Sequence, residues 1–184
     1  MTLSQRNNDE LVQWYAMRVT YNREMSVKQM LDSASITNYL PLRHVVKYKN
    51  GTKVKIAQPA IRGLFFVNCT KDCIMQFKRK IPYFQFMTRK EGDKNKPIIV
   101  PDEEMVSFIK ATSVDESRIE YLDHNAQDFT KGCMIKIHGG ELDGVEGKYM
   151  RVVGKRAKRL LIQVENVMAV AIDVTALNYI EVIK

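Results

Sequence analysis

The sequence predicts an α+β protein in two parts: an N-terminal α/β sandwich of mainly antiparallel sheet and helices over residues 1–112, and a small all-β barrel over residues 130–184. Three observations predict it. Up to residue 112, segments of period two alternate with segments of helical period. Residues 113–129 are acidic and follow no strong period, as a linker would. From Thr130 onward only strand and turn patterns remain.

In the first part, residues 14–20 are aromatic and β-branched and read as a strand. Val27, Met30, Leu31 and Ala34 then fall at i, i+3, i+4 and i+7, the stripe of one amphipathic helix. Residues 39–48 and 52–58 are strand candidates joined by Asn50 and Gly51, a dipeptide that tolerates the positive φ of a tight hairpin. Residues 64–67 form a fourth strand, 73–80 a helix, 84–88 a strand and 91–96 a polar turn. Pro101 precedes Asp102, an N-cap type. Met105, Val106 and Ile109 supply the inner stripe of a helix that ends near Thr112.

In the second part, Cys133, Ile135 and Ile137 alternate with Met134, Lys136 and His138, so one strand face is buried. Gly139, Gly140, Gly144 and Gly147 punctuate the next stretch. Leu160, Ile162 and Val164 alternate again, and residues 167–174 and 180–183 follow as strands. Five short strands without a helix favour closure into a barrel, which removes exposed edges.

The chain of 184 residues carries a net charge of +8, and residues 43–96 hold 14 basic against 3 acidic side chains. That excess fits a nucleic-acid partner and a solvated basic surface equally well. No apolar run is long enough to span a bilayer, and residues 1–10 lack the basic-then-apolar order of a secretory signal, so the expected location is the cytoplasm. Cys69, Cys73 and Cys133 lack metal spacing and read as reduced, packed thiols. There is no phosphate-binding G-x-x-x-x-G-K-[ST], no H-E-x-x-H and no G-x-S-x-G, and His44, His124 and His138 are scattered. Catalytic residues, a metal and cofactors are therefore not expected.

Two blocks resemble the NusG family of transcription elongation factors. The first is Trp14-Tyr15-Ala16-Met17-Arg18-Val19 with Pro59-Ala60-Ile61-Arg62-Gly63-Leu64-Phe65-Phe66-Val67 downstream. The second is Gly132-Cys133-Met134-Ile135-Lys136-Ile137 through Gly140-Glu141-Leu142-Asp143-Gly144-Val145-Glu146-Gly147, which is similar to the KOW motif, its glycines being Gly132, Gly140, Gly144 and Gly147. Residues 18–24, Val100-Pro101-Asp102 and residues 167–171 further resemble the specialised UpxY group, antiterminators of surface-polysaccharide operons.

The resemblance implies an N-terminal domain (1–112) that binds the clamp helices of the RNA polymerase β′ subunit, a linker (113–129), and a KOW barrel (130–184) that recruits a ribosomal protein or RNA. It places Leu64 and Phe66 at the polymerase contact, with Phe65 and Val67 facing the core. Arg23, Lys28, Lys78, Arg79 and Lys80 become candidates for phosphate contacts to non-template DNA. Arg62 stands where a second proline is usual, and Leu64 replaces a common aromatic. Met75-Gln76-Phe77-Lys78 replaces the polar cluster with which specialised relatives touch a second polymerase loop. The Phe-Gly loop that general members offer to Rho is absent between Val164 and Val170, so Rho is not an expected partner. The alternative reading is a KOW-containing RNA-binding or ribosome-associated structural protein, whose phosphate-led binding would weaken steeply with salt.

Overall fold

Strand β1 (Gln13–Val19) begins the N-terminal fold and becomes the middle of its sheet. The computed structural model describes residues 11–123, 132–151, 158–164, 167–174 and 179–183. It divides into two units, Met1–Pro101 and Asp102–Lys184. After β1 the first unit continues through α1 (Glu24–Ser33), β2 (Thr37–Tyr39), β3 (Leu42–Lys49), β4 (Thr52–Pro59), β5 (Leu64–Cys69) and α2 (Lys71–Lys80). It ends with β6 (Phe84–Phe86), β7 (Thr88–Glu91), β8 (Lys94–Pro97) and β9 (Ile99–Val100).

The main sheet has the order β2-β5-β1-β6, with β9 also paired to β1, and every ladder is antiparallel. Tyr15, Met17 and Val19 from β1 and Phe65 and Val67 from β5 point to one face. There they form a core with Val27 and Leu31 of α1, Ile74 of α2 and Phe84. Helix α2 starts where it does because the Thr70 hydroxyl accepts the Cys73 N–H at 3.2 Å. Asp72 in its first turn and Lys78, Arg79 and Lys80 in its last complement the helix dipole.

Strands β3 and β4 form their own two-stranded ladder from Leu42↔Pro59 to Lys49↔Thr52. Asn50 at φ 50° and Gly51 at φ 78° make the turn that the dipeptide predicts. Two details differ from expectation. Residues 91–96 are not merely a polar turn, because they belong to the β7–β8 hairpin, closed at Gly92. Met30 of α1 and Ala34 just after it are exposed, and the inward side chains of the helix are Glu24, Val27 and Leu31. A buried carboxylate occupies the position where an apolar stripe would be sought.

The second unit comprises α3 (Asp102–Thr112), β10 (Ile119–Asp123), β11 (Cys133–His138), β12 (Glu146–Arg151), β13 (Lys158–Val164), β14 (Met168–Ile172) and β15 (Tyr179–Val182). Its antiparallel strands run β10-β14-β13-β12-β11-β15. The fold class is the predicted one, mixed α+β followed by all-β strands, but the boundaries differ from 1–112, 113–129 and 130–184. The division falls at Pro101, and α3 packs on β13 and β14 of the second unit. Its buried side chains are Met105, Phe108, Ala111 and Thr112, while Val106 is exposed. Asp102 is the first helical residue, and with Glu103 and Glu104 it sets negative charge on the positive end of the helix dipole.

The segment expected as a linker holds β10, which pairs along β14 from Ile119↔Ile172 to Asp123↔Met168. Residues 124–130 lie outside the described residues. The physical reason is charge pairing that composition conceals. Arg159, 15% exposed, meets Glu120 at 2.6 Å and Asp173 at 2.7 Å, and Arg118 donates to the Asp173 carbonyl at 2.9 Å. Glu120, an acidic residue of this segment, thus faces a cation of the same unit. Among the described residues no helix is long and apolar enough to cross a membrane.

Candidate interaction surfaces

Strand β5 is an unbroken apolar run at its start, and such runs occur where both faces of a strand are covered. Leu64, Phe65, Phe66 and Val67 are indeed all buried, with Leu64 5% and Phe66 0% exposed. The expectation that Leu64 and Phe66 present themselves to solvent is corrected. Their face is nevertheless distinct. Phe66 lies opposite Ala16 and Leu64 opposite Arg18, whereas Phe65 and Val67 lie opposite Met17 and Tyr15 in the helix-covered core. Trp14, Ala16, Leu64 and Phe66 therefore form an apolar set on the other side of the sheet.

The backbone leading into β5 is held by a carboxylate. Glu24, 3% exposed, accepts the Gly63 N–H at 2.7 Å, while Val19 donates its N–H to the Gly63 carbonyl at 2.9 Å. Glu24→Ala should destabilise the chain by about 1–3 kcal/mol, because the Gly63 N–H loses its acceptor in a half-buried place. Glu24→Gln keeps an acceptor oxygen and should lose less than half as much. Urea denaturation of the two variants checks the ordering.

The basic candidates are gathered only in part. Arg23 stacks its guanidinium over Tyr83 at 4.7 Å, and Lys78 sets its ammonium over Phe86 at 4.7 Å, so both lie along the β6 edge. Lys28 pairs with Asp32 one turn away at 2.9 Å, which partly neutralises it. Arg79 and Lys80 are exposed at the end of α2. In the second unit Lys155 and Arg156 lie outside the described residues, and Arg159 is engaged with Glu120 and Asp173.

The KOW-type glycines carry structure. Gly140 and Gly144 take φ 68° and 79° in the turn after β11, where the Gly144 N–H reaches the Ile137 carbonyl at 2.7 Å. Gly132 has φ 105°, and a Cβ there would come within 2.9 Å of the Met150 Cβ. At Gly147 a Cβ would fall 2.4 Å from the Leu161 carbonyl oxygen.

Cys69, Cys73 and Cys133 are free thiols. Burial, with Cys73 beside it, pushes the Cys69 thiol up to about 12, which keeps it protonated and unreactive at neutral pH. Among the described residues no three His, Cys, Asp or Glu side chains converge as a metal site. The sequence reading did not single out Val46, Tyr48, Lys53 and Lys55 of the β3–β4 hairpin, although the signal was there: alternating apolar and basic residues around Asn50-Gly51.

A family model described as "Transcription termination factor nusG" matches residues 12–109. A search of curated proteins gives no match. Among solved structures, one titled "Domain interaction in Thermotoga maritima NusG" is 15% identical, covers 95% of this chain and 98% of its own, and superposes with a TM-score of 0.47.

Proposed function

The chain belongs to the NusG family of transcription factors, whose members bind RNA polymerase, and from that premise we propose that it is an elongation and antitermination regulator that grips the β′ clamp helices through Leu64 and Phe66. The reading assigns it to surface-polysaccharide operons, after its UpxY-like segments, and to the cytoplasm. The second unit recruits a ribosomal protein or RNA, without Rho. Arg23, Lys28, Lys78, Arg79 and Lys80 serve as phosphate contacts to non-template DNA. No catalytic step is part of this function.

One observation carries the polymerase contact: Trp14, Ala16, Leu64 and Phe66 form an apolar sheet face that takes no part in the helix-covered core, within the span the family model matches. Binding through that face requires that it be uncovered, so the apparent affinity includes the cost of exposing it. Leu64→Asn and Phe66→Asn should weaken binding of the full chain to a clamp-helix fragment by more than about tenfold after correction for the folded fraction, as hot-spot positions do. Folded variants that bind like the wild type would sink the assignment. In a cell extract the wild type should retain polymerase subunits at high salt. Retention of ribosomal proteins alone, lost as salt rises, would favour the RNA-binding alternative.

A further inference from the structure

The β3–β4 hairpin has physical properties that the polymerase contact does not use. Across residues 42–59 it carries Arg43, Lys47, Lys49, Lys53 and Lys55 and no acidic residue. Its distal part is exposed on both faces of the ribbon, with Val46 at 61% and Tyr48 at 70% exposure. The register puts His44, Val46 and Tyr48 on one face with Lys53 and Lys55, because Tyr48 lies opposite Lys53 and Val46 opposite Lys55. The Lys53 ammonium sits 5.9 Å from the centre of the Tyr48 ring. Lys47 and Lys49 share the other face with Val54 and Ile56. At the base, Leu42, Val45, Ala57, Gln58 and Pro59 are half-buried, so the ribbon is anchored at one end and free at the other.

We propose that this hairpin is a nucleic-acid-binding ribbon that lies in the major groove of duplex DNA, holding phosphates through Lys47, Lys53 and Lys55. Shape selects the duplex. A two-stranded ribbon is the width that the B-form major groove admits, whereas the major groove of A-form RNA is too narrow for it. Eight residues per strand span roughly 26 Å, enough to cross the groove and meet both sugar-phosphate walls. Single-strand sites are grooves lined by several stacking aromatics, and this projection has one, Tyr48. Charge selects a polyanion, since no carboxylate on the ribbon opposes five cations. The binding is led by phosphate and carries little sequence preference. It stands independently of the clamp-helix contact and occupies different residues.

The test uses the full chain and a labelled mixed-sequence DNA duplex about two helical turns long, followed by fluorescence anisotropy from about 50 to 200 mM salt. The triple variant Lys47→Gln, Lys53→Gln, Lys55→Gln should bind at least about tenfold more weakly, and its log–log salt slope should be shallower by roughly 0.9 for each phosphate contact removed. The comparison variant Arg89→Gln, Lys90→Gln, Lys94→Gln removes the same charge from the β7–β8 hairpin and should stay within about twofold of the wild type. Equal losses in the two variants would assign the attraction to net charge and overturn the proposal. So would tighter binding of single-stranded DNA or of an RNA duplex of the same length. Clamp-helix affinity of the hairpin variant, measured alongside, should be unchanged; its loss without a change in DNA binding would make the hairpin a protein contact and overturn the proposal too.

Discussion

Gly147→Ala should sharply destabilise the second unit while leaving the first unaffected. The added Cβ would lie 2.4 Å from the Leu161 carbonyl oxygen and 2.9 Å from Leu160 Cδ1. The Leu160 methyl can move aside, but the carbonyl belongs to the neighbouring strand, and Lys148 next to Gly147 is the ladder partner of Leu161. Relief requires β12 and β13 to separate, which breaks their hydrogen bonds and opens the packing of Leu161 on Met150 and Ala171. A backbone displacement of that kind costs about 3 kcal/mol, the upper end of what overpacking imposes, against the roughly 5–15 kcal/mol that stabilises a domain. Gly51→Ala is the comparison. Nothing lies within 4 Å of its Cβ, so only the left-handed backbone at φ 78° opposes it, at about 1–2 kcal/mol. Circular dichroism during urea denaturation should show an early β-rich transition for Gly147→Ala and a nearly normal curve for Gly51→Ala.

Phe65→Asp should unfold the first unit. Phe65 is fully buried, meets Phe84 edge-on with ring centroids 6.3 Å apart, and belongs to the core shared by both helices. Removing the ring costs about 3–5 kcal/mol. An unpaired carboxylate in its place adds several more or forces the group to take up a proton. Leu64→Asp and Phe66→Asp also bury a charge, but on the opposite sheet face, outside that helix-covered cluster. Their melting should be lowered less than that of Phe65→Asp. Thermal melts of all three variants read the difference directly. Equal melting of the three would mean that both faces of β5 contribute alike to the fold.

Much of the fold was legible because short-range chemistry and long-range packing agree. Asn50-Gly51 specifies a hairpin turn, Thr70 caps the helix that begins at Lys71, and Ile135 and Ile137 turn inward as their alternation requires. Expectation failed where a charged residue had a buried partner. Glu24 occupies an inward helical position because a backbone N–H meets it, and residues 113–123 looked like linker because the groups that hold them, Arg159 for Glu120 and the Asp173 carbonyl for Arg118, lie far along the chain. Helix α3 was assigned to the first unit because its stripe is local, whereas its partner strand is β13, some fifty residues on. At the candidate contact, the motif identified Leu64 and Phe66, but no period in a four-residue apolar run distinguishes a face awaiting a partner from one already covered.

Strand β10 has a consequence for anyone who cuts this chain. β14, Met-Ala-Val-Ala-Ile, is buried at every position and has β10 along one side and β13 along the other. A fragment starting at residue 130 lacks β10, so one row of backbone N–H and C=O groups on an uncharged, β-prone strand is left open. Such an edge recruits a copy of itself. The fragment would then self-associate through strand addition, and its oligomers would report on the scissors rather than on the protein. Starting at Asp102 retains the guard strand, the cations that fasten it and the helix that packs on the same sheet.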